Sequence, residues 1–453
     1  GSAADGLEVV NTSPLRNTVG DTFSDWTLQG ELGTRMALAM NLSDATLEPQ
    51  VSLMTDWSAV EVDMGDLDLV VSDVNGSLFY DSFNGFRAEE MIGTAWGRPL
   101  TGQVRQGRAG GELAELDIAV QGRASAQDVR EWLDQDMLAL AQGEADASLH
   151  IRVPPDGSAL LEVDSTLEGV ALDLPSPWAK QAQESRSMKL SMPLAAGPRR
   201  IDIAMDEAAF LGLDLGPEGF NGGSLGFSAP LFDNAPGRFV LGGKLDYLDW
   251  DEWDSFFERY FPEEDAEPVL ILSTLRELQV DRLLLFGKQI DQVRLNGVEY
   301  PDRWEIEFDT AWAAGRVLLP EDLAGLDLNL DRLEVGGFAA MMNAEEGLPA
   351  DQFDFPPIKV VIADLHDAED HWGALDFTLR QSGQNLHFEN IRGELRRLQL
   401  GGETPMRLDW LRGEGGERTR LMGELLFEDF GDVLEQYQYE QIVQTDSGTV
   451  GLE

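Results

Sequence analysis

Apolar and polar side chains alternate most regularly between Phe355 and Gly401, in four runs separated by short polar breaks. Ile358, Val360 and Ile362 share one parity, as do Leu375, Phe377 and Leu379, then Leu386 and Phe388, then Leu398 and Leu400. Asp376, Thr378, Arg380, His387, Glu389 and Gln399 take the opposite parity. Successive strand side chains point to opposite faces, so the spacing predicts a sheet with one apolar and one charged face. The breaks at Asp367 to Gly373, Ser382-Gly383 and Arg392 to Glu394 suit hairpins joining antiparallel neighbours.

The same period begins near the start of the chain, with Met36, Leu38, Met40 and Leu42, and continues through Val60 and Val62, Leu78 and Tyr80, and Leu116, Ile118 and Val120. No helix is predicted before Ser125. There the pattern changes: the Ser125 hydroxyl is placed to cap a helix, Asp128 sits three residues on, and Val129, Trp132, Leu133, Met137 and Leu140 fall on one face before Gly143. This predicts a helix over 125–142. Asp251 ahead of Trp253, Phe256, Phe257 and Tyr260 predicts a second over 251–261, and Asp429 ahead of Phe430, Val433, Leu434 and Tyr437 a third over 429–438. Each follows an alternating run, so the chain reads as a loose repeat of strands closed by a short helix, at intervals too unequal for a strict solenoid. Residues 1–2 read as an expression scar, and the repeat divides the rest into segments 3–143, 144–262 and 263–453, the last continuing beyond Glu453.

Further alternating runs, among them Ile201, Ile203 and Met205, Trp304, Ile306 and Phe308, and Leu326, Leu328 and Leu330, bring the count to some twenty strands against three helices. A parallel α/β fold needs a helix after nearly every strand, so the fold class is mostly β and largely antiparallel. Three short helices cover few strands of so large a sheet. Apolar surface left in water costs about 25 cal/mol per Å² relative to burial, so the remainder must meet a second sheet, close into a barrel or face a greasy ligand.

Charge narrows the partners. Of the 453 residues, 83 are acidic and 33 basic, giving a formal net charge of −50. Such a surface repels nucleic acid and anionic lipid head groups; it serves either solubility alone or adaptation of an envelope protein to a salty medium, where screening limits self-repulsion. Hydrophobic residues at 43% supply an ample core. Cysteine is absent, which excludes disulfides and thiolate chemistry. No apolar run approaches the roughly 20 residues that span a bilayer.

Catalytic signals are weak. Gly222-Gly223-Ser224-Leu225-Gly226 matches the nucleophile-elbow pattern of serine hydrolases, but no helix is predicted after it. His366 and His371 bracket Asp367, Glu369 and Asp370 in a predicted turn, the one cluster with metal-ligand chemistry. The Asp-Leu-Asp-Leu run at Asp66 to Leu69 and the Asp-Leu-Asn-Leu run at Asp327 to Leu330 place carboxylates on the solvent face rather than in calcium loops. No metal, cofactor or catalytic residue is assigned.

The run Leu167-Glu168-Gly169-Val170-Ala171-Leu172-Asp173-Leu174-Pro175-Ser176-Pro177-Trp178-Ala179-Lys180, with Glu184 after it, resembles a phrase of the AsmA-like envelope proteins of Gram-negative bacteria, of the YhdP type. Val74-Asn75-Gly76-Ser77-Leu78-Phe79-Tyr80 with Gly85 and Gly97-Arg98-Pro99, and Pro356-Pro357-Ile358 through Trp372-Gly373, Gly393 and Gly423-Glu424-Leu425, are similar too. The resemblance implies a long, twisted sheet curved into an open hydrophobic groove. It implies a periplasmic middle segment of a protein anchored in the inner membrane by an N-terminal helix outside this sequence, conducting phospholipids toward the outer membrane. Its partners would be phospholipid acyl chains and, beyond them, outer-membrane or envelope proteins. On that reading the apolar parity of the clearest strands lines the groove: Leu326, Leu328, Leu330, Ile358, Val360, Ile362, Leu375, Phe377, Leu379, Leu386 and Phe388. A β-rich scaffold for outer-membrane protein assembly is the competing expectation, and an envelope hydrolase or glycan-binding module a third.

Overall fold

In a computed structural model the described residues are 1–12, 23–40, 50–65, 69–109, 112–133, 139–155, 159–194, 197–217, 219–231, 236–260, 272–285, 287–322, 324–343, 356–368, 370–383, 385–413, 416–436 and 447–452. Among them are 27 strands and five helices, and the chain divides into two compact units, Gly1–Pro236 and Gly237–Glu453. Residue 143 lies inside a strand and residue 262 outside the described residues, so neither expected segment boundary coincides with this division.

The first unit opens with helix α1 (Ala3–Thr12) and holds β1 (Trp26–Ala39), β2 (Gln50–Met64), β3 (Leu69–Asp81), β4 (Gly85–Ala95), β5 (Arg98–Ala109) and β6 (Glu112–Ser125). Helix α2 (Ala126–Leu133) precedes β7 (Ala141–Val153), β8 (Leu160–Ser165), β9 (Val170–Leu172), β10 (Met188–Pro193), β11 (Arg199–Met205), β12 (Ala209–Gly216) and β13 (Gly219–Phe227). Neighbours pair antiparallel in chain order, except that β8 pairs with β10 while β9 turns back onto the first residues of β7.

The second unit begins with β14 (Arg238–Leu245), β15 (Leu248–Asp249), helix α3 (Trp250–Tyr260), β16 (Leu272–Leu285), β17 (Lys288–Tyr300), β18 (Arg303–Asp309), β19 (Ala313–Pro320) and β20 (Leu326–Glu334). Helix α4 (Val335–Asn343) leads to β21 (Ile358–Asp367), β22 (Asp370–Ser382), β23 (Asn385–Leu395), β24 (Leu398–Leu400), β25 (Met406–Gly413) and β26 (Gly416–Phe427), then helix α5 (Phe430–Gln436) and β27 (Gly448–Leu452). Pairing is again antiparallel except at β14–β16, β15–β16 and β20–β21. A parallel pair needs a crossover, and α3 and α4 lie in those two connections. In this unit all three helices leave strand ends on one rim; the β17–β18, β19–β20 and β22–β23 turns lie on the opposite, helix-free rim.

Two helices escape the sequence reading. In α1 no regular apolar stripe marks Ala3–Thr12, yet Ala3 is buried and Leu7 and Val10 pack onto the β1–β2 core. Gly1 pairs reciprocally with Leu32 through N–H and carbonyl groups, and Ser2 bridges to Glu31. Helix α4 carries Gly336-Gly337, which argues against a helix by propensity; packing overrides this, with Phe338 stacked 5.8 Å from Trp312. The helix expected over 125–142 is corrected at its end, because Ala141 and Gln142 already pair with Leu172 and Ala171 as strand. The cap of α3 is Asp249, which accepts the Asp251 and Glu252 N–H groups at 3.1 and 3.2 Å; Asp251 instead takes the Gly287 N–H. Of the expected 429–438 helix, 430–436 is seen and 437–438 lies outside the described residues.

Two of the helices are pinned by two-residue hairpins whose residues have positive φ. Trp96-Gly97 brings Arg98 against Asp128 in the first turn of α2 and Glu144 of β7, and stacks Trp96 on Trp132 at 5.9 Å. Arg396-Arg397 brings Arg397 to Asp432 in the first turn of α5 at 2.5 Å, with Arg396 over the Trp372 ring at 4.7 Å. An arginine on a carboxylate in the first helical turn therefore recurs in both units. β-Bulges recur as well: Ala59 and Glu277 have φ of 48° and 47°, and their N–H groups are held by the Asn75 and Asn296 carboxamides at 3.0 and 2.8 Å. Bulges bend strands and raise twist, so each sheet curves where its strands carry them.

Candidate functional site

Register places the eleven predicted lining residues on one face of the second unit. Leu326 pairs with Ile358, and Ile358 with Leu379, which pairs with Phe388. Leu328, Val360 and Phe377 form a second row, and Leu330, Ile362 and Leu375 a third. Leu386 sits one step outward of Phe388, opposite Trp410. Directly paired residues share a face, so these rows form a continuous apolar surface. The neighbouring strands lengthen it: Val317 lies beside Leu328, Ile306 beside Val317, and on the other flank Leu408 lies beside Phe388 and Leu421 beside Leu408. Leu421 opens an alternating run, Leu421 to Phe427, that the sequence shows, whereas the unbroken Val317-Leu318-Leu319 run hides the parity of β19.

Burial grades across this surface. Leu330, Val360 and Ile362 are 7, 5 and 4% exposed and, with Leu365, form a closed floor toward the helix-bearing rim. Leu326, Leu328, Ile358, Leu375, Phe377, Leu379, Leu386 and Phe388 are half-buried. The Phe377 and Phe388 rings meet at 5.5 Å. These side chains are neither closed off like the floor nor fully exposed.

The reverse face is charged and carries ion pairs. Arg316 meets Glu307 at 2.7 Å, Arg332 meets Asp309 at 2.6 Å, and Arg380 meets Glu389 at 3.1 Å. Asp409 accepts from His387 at 2.6 Å and Arg407 at 2.8 Å, and these bonds hold its carboxyl below the ordinary value. A depressed carboxyl favours the fold above its unfolded pKa, and that contribution disappears as pH falls through the folded value. Unfolding of the wild type should therefore lose stability below about pH 4, relative to Asp409→Asn, in a pH series of denaturation midpoints; parallel curves would contradict this.

The first unit carries the same kind of face. Val104, Ile118, Ile151, Leu161 and Met192 succeed one another across β5, β6, β7, β8 and β10, and Leu211 and Leu225 continue a parallel row across β12 and β13. Here the centre is closed, with Ile151 and Leu161 3 and 1% exposed. Tyr80 packs on Phe86 at 4.8 Å, and burial, then Asp81, raises its phenol above the usual value. At the far end of β1 the face opens: Met36 and Leu38 are 64 and 50% exposed.

The candidate chemical groups are placed otherwise than their motifs require. Ser224 lies within β13, 1% exposed, donating to the Leu231 carbonyl and accepting from Arg200, so no strand-to-helix elbow presents its hydroxyl. His366 and His371 pair across β21 and β22, and Asp364, rather than the bracketed acids, meets His371 at 2.6 Å. Glu369 lies outside the described residues. Among the described residues no group of three or more acidic or histidine side chains is arranged to hold a metal ion.

The segment after β8 that carries the quoted Leu167 to Lys180 run folds around a buried lysine. Lys180 is 3% exposed, and its ammonium donates to the Leu167, Val170 and Gln181 carbonyls at 2.7, 2.7 and 3.2 Å. Burial lowers its pKa. Lys180→Met strands those carbonyls and should cost about 1–3 kcal/mol in denaturant unfolding; an unchanged midpoint would show the carbonyls find other donors.

Each unit is thus a mostly antiparallel sheet with one apolar face and one charged face, which defines the class as a β-rich, sheet-built protein with few helices. The chain matches the family described as YhdP protein over residues 1–452, and it belongs to that family, of the AsmA-like group linked to lipid transport in the bacterial envelope. No curated protein and no solved structure matches it. Among the described residues no helix is long and apolar enough to cross a membrane.

Proposed function

We propose that this chain is a periplasmic segment of an inner-membrane-anchored bridge, and that phospholipids pass along its apolar face toward the outer membrane. The observation that supports the reading is the apolar face that runs from Ile306 to Leu421 across eight strands, most of it half-buried, beside a floor that the protein closes by itself. Acyl chains match such a surface in chemistry and length. Conduction needs no catalytic group, and the reading is of a conduit, not an enzyme. Its partners are acyl chains within the trough and envelope components beyond its ends.

The test is direct. Protein prepared without detergent should yield phospholipid on solvent extraction and mass spectrometry, at one or more molecules per chain. Repeated preparations free of lipid would remove the basis of the reading.

A further inference from the structure

The charge at the helix-free rim says which phospholipids the trough should favour; the inference rests on the reading above. In the second unit the half-buried row Leu326, Ile358 and Leu379 ends beside the β17–β18 and β19–β20 turns. Those turns are tied together, the Glu321 N–H donating to the Asp302 carbonyl at 3.1 Å. They carry Asp302, Glu321 and Asp322, all exposed, and Asp327 opens the next strand. Of the nearby cations, Arg238 donates to the Thr274 hydroxyl and the Glu299 carbonyl at 3.3 and 3.4 Å. Arg303 is held by Asp302 at 3.0 Å and Glu305 at 2.8 Å and stacks on Tyr300 at 4.6 Å, while Lys359 lies opposite Asp327 in register. Glu321 and Asp322 have no ion pair among the described residues.

A lipid whose acyl chains lie on this row brings its headgroup to that rim. An anionic headgroup meets like charge there, on a chain whose net charge is already −50. A headgroup bearing an ammonium beside its phosphate places the cation among carboxylates. We infer that the trough takes net-neutral, ammonium-bearing phospholipids in preference to anionic ones. A unit charge near a charged surface changes affinity by about fivefold, and salt screens the effect within a few ångströms at 1 M.

The experiment incubates the full 453-residue chain with vesicles containing equal fractions of phosphatidylethanolamine and phosphatidylglycerol of matched acyl chains. The protein is re-isolated and its lipid quantified by mass spectrometry. The expected result at low salt is about fivefold enrichment of the ethanolamine lipid, falling toward parity in 1 M sodium chloride. The combined variant Asp302→Asn, Glu321→Gln, Asp322→Asn, at exposed turn positions, should capture as much total lipid with the enrichment reduced. Equal or reversed capture by the wild type at low salt, or enrichment unchanged in the variant, would overturn the inference and leave the conduit reading standing. Capture of no lipid of either kind would overturn both.

Discussion

Ile362→Asp should cost the second unit about 3–5 kcal/mol, whereas Leu379→Asp should cost about 1 kcal/mol and yet abolish most lipid capture. The two side chains share a face and differ in cover. Ile362 is 4% exposed, packed with Leu330, Val360 and Leu365, so a carboxylate there is buried without a partner. Leu379 lies in the outermost row, half-buried, where a carboxylate reaches water but would sit in the proposed acyl path. Denaturant unfolding reads the first effect, and extracted lipid per chain the second. Equal costs at both positions would mean that the face is an ordinary closed core.

Gly393→Val should be comparably damaging, at about 3 kcal/mol or more, for a reason of backbone rather than burial. Gly393 has φ of 148°, and a Cβ built on it lies 2.2 Å from the Ala374 carbonyl oxygen and 2.9 Å from the Leu375 Cα. Its neighbour Gly373, with φ of 134°, would place a Cβ 1.9 Å from the Glu394 oxygen. The β22 and β23 backbones approach here through reciprocal glycines, and no side-chain rotation relieves the clash. Gly383→Ala in the β22–β23 turn is the control. Its φ is 59° with nothing within 4 Å of the added Cβ, so it should cost only about 1 kcal/mol. Similar unfolding midpoints for the two variants would refute the tight approach.

Period-two alternation carried most of the fold. It set the apolar parity of β20 to β23, and one parity fixes a whole register because a one-residue slip would turn every side chain over. The glycines of the quoted phrases were visible as letters, and their meaning became physical only with the pairing of β22 and β23. Three features were not legible. Helix α4 hides behind Gly336-Gly337, and α1 behind the lack of a regular stripe, because tertiary packing outweighs local propensity in both. The capping role of Asp249 depends on where β15 stops, and the sequence pointed instead to Asp251. Most of all, alternation names a face without naming its cover: Val360 and Leu328 have the same parity and neighbouring places, and only three-dimensional packing buries the first and leaves the second half-buried.

The central claim is that acyl chains occupy the half-buried rows of the second unit. The most direct measurement places a photo-crosslinking residue at Phe377 or Leu328 on the apolar face, and at Asp376 or Asp327 on the reverse face, then irradiates in the presence of phospholipid vesicles. The account predicts lipid adducts at Phe377 and Leu328 and none at the two aspartate positions. Adducts at neither parity, or equally at both, would contradict it.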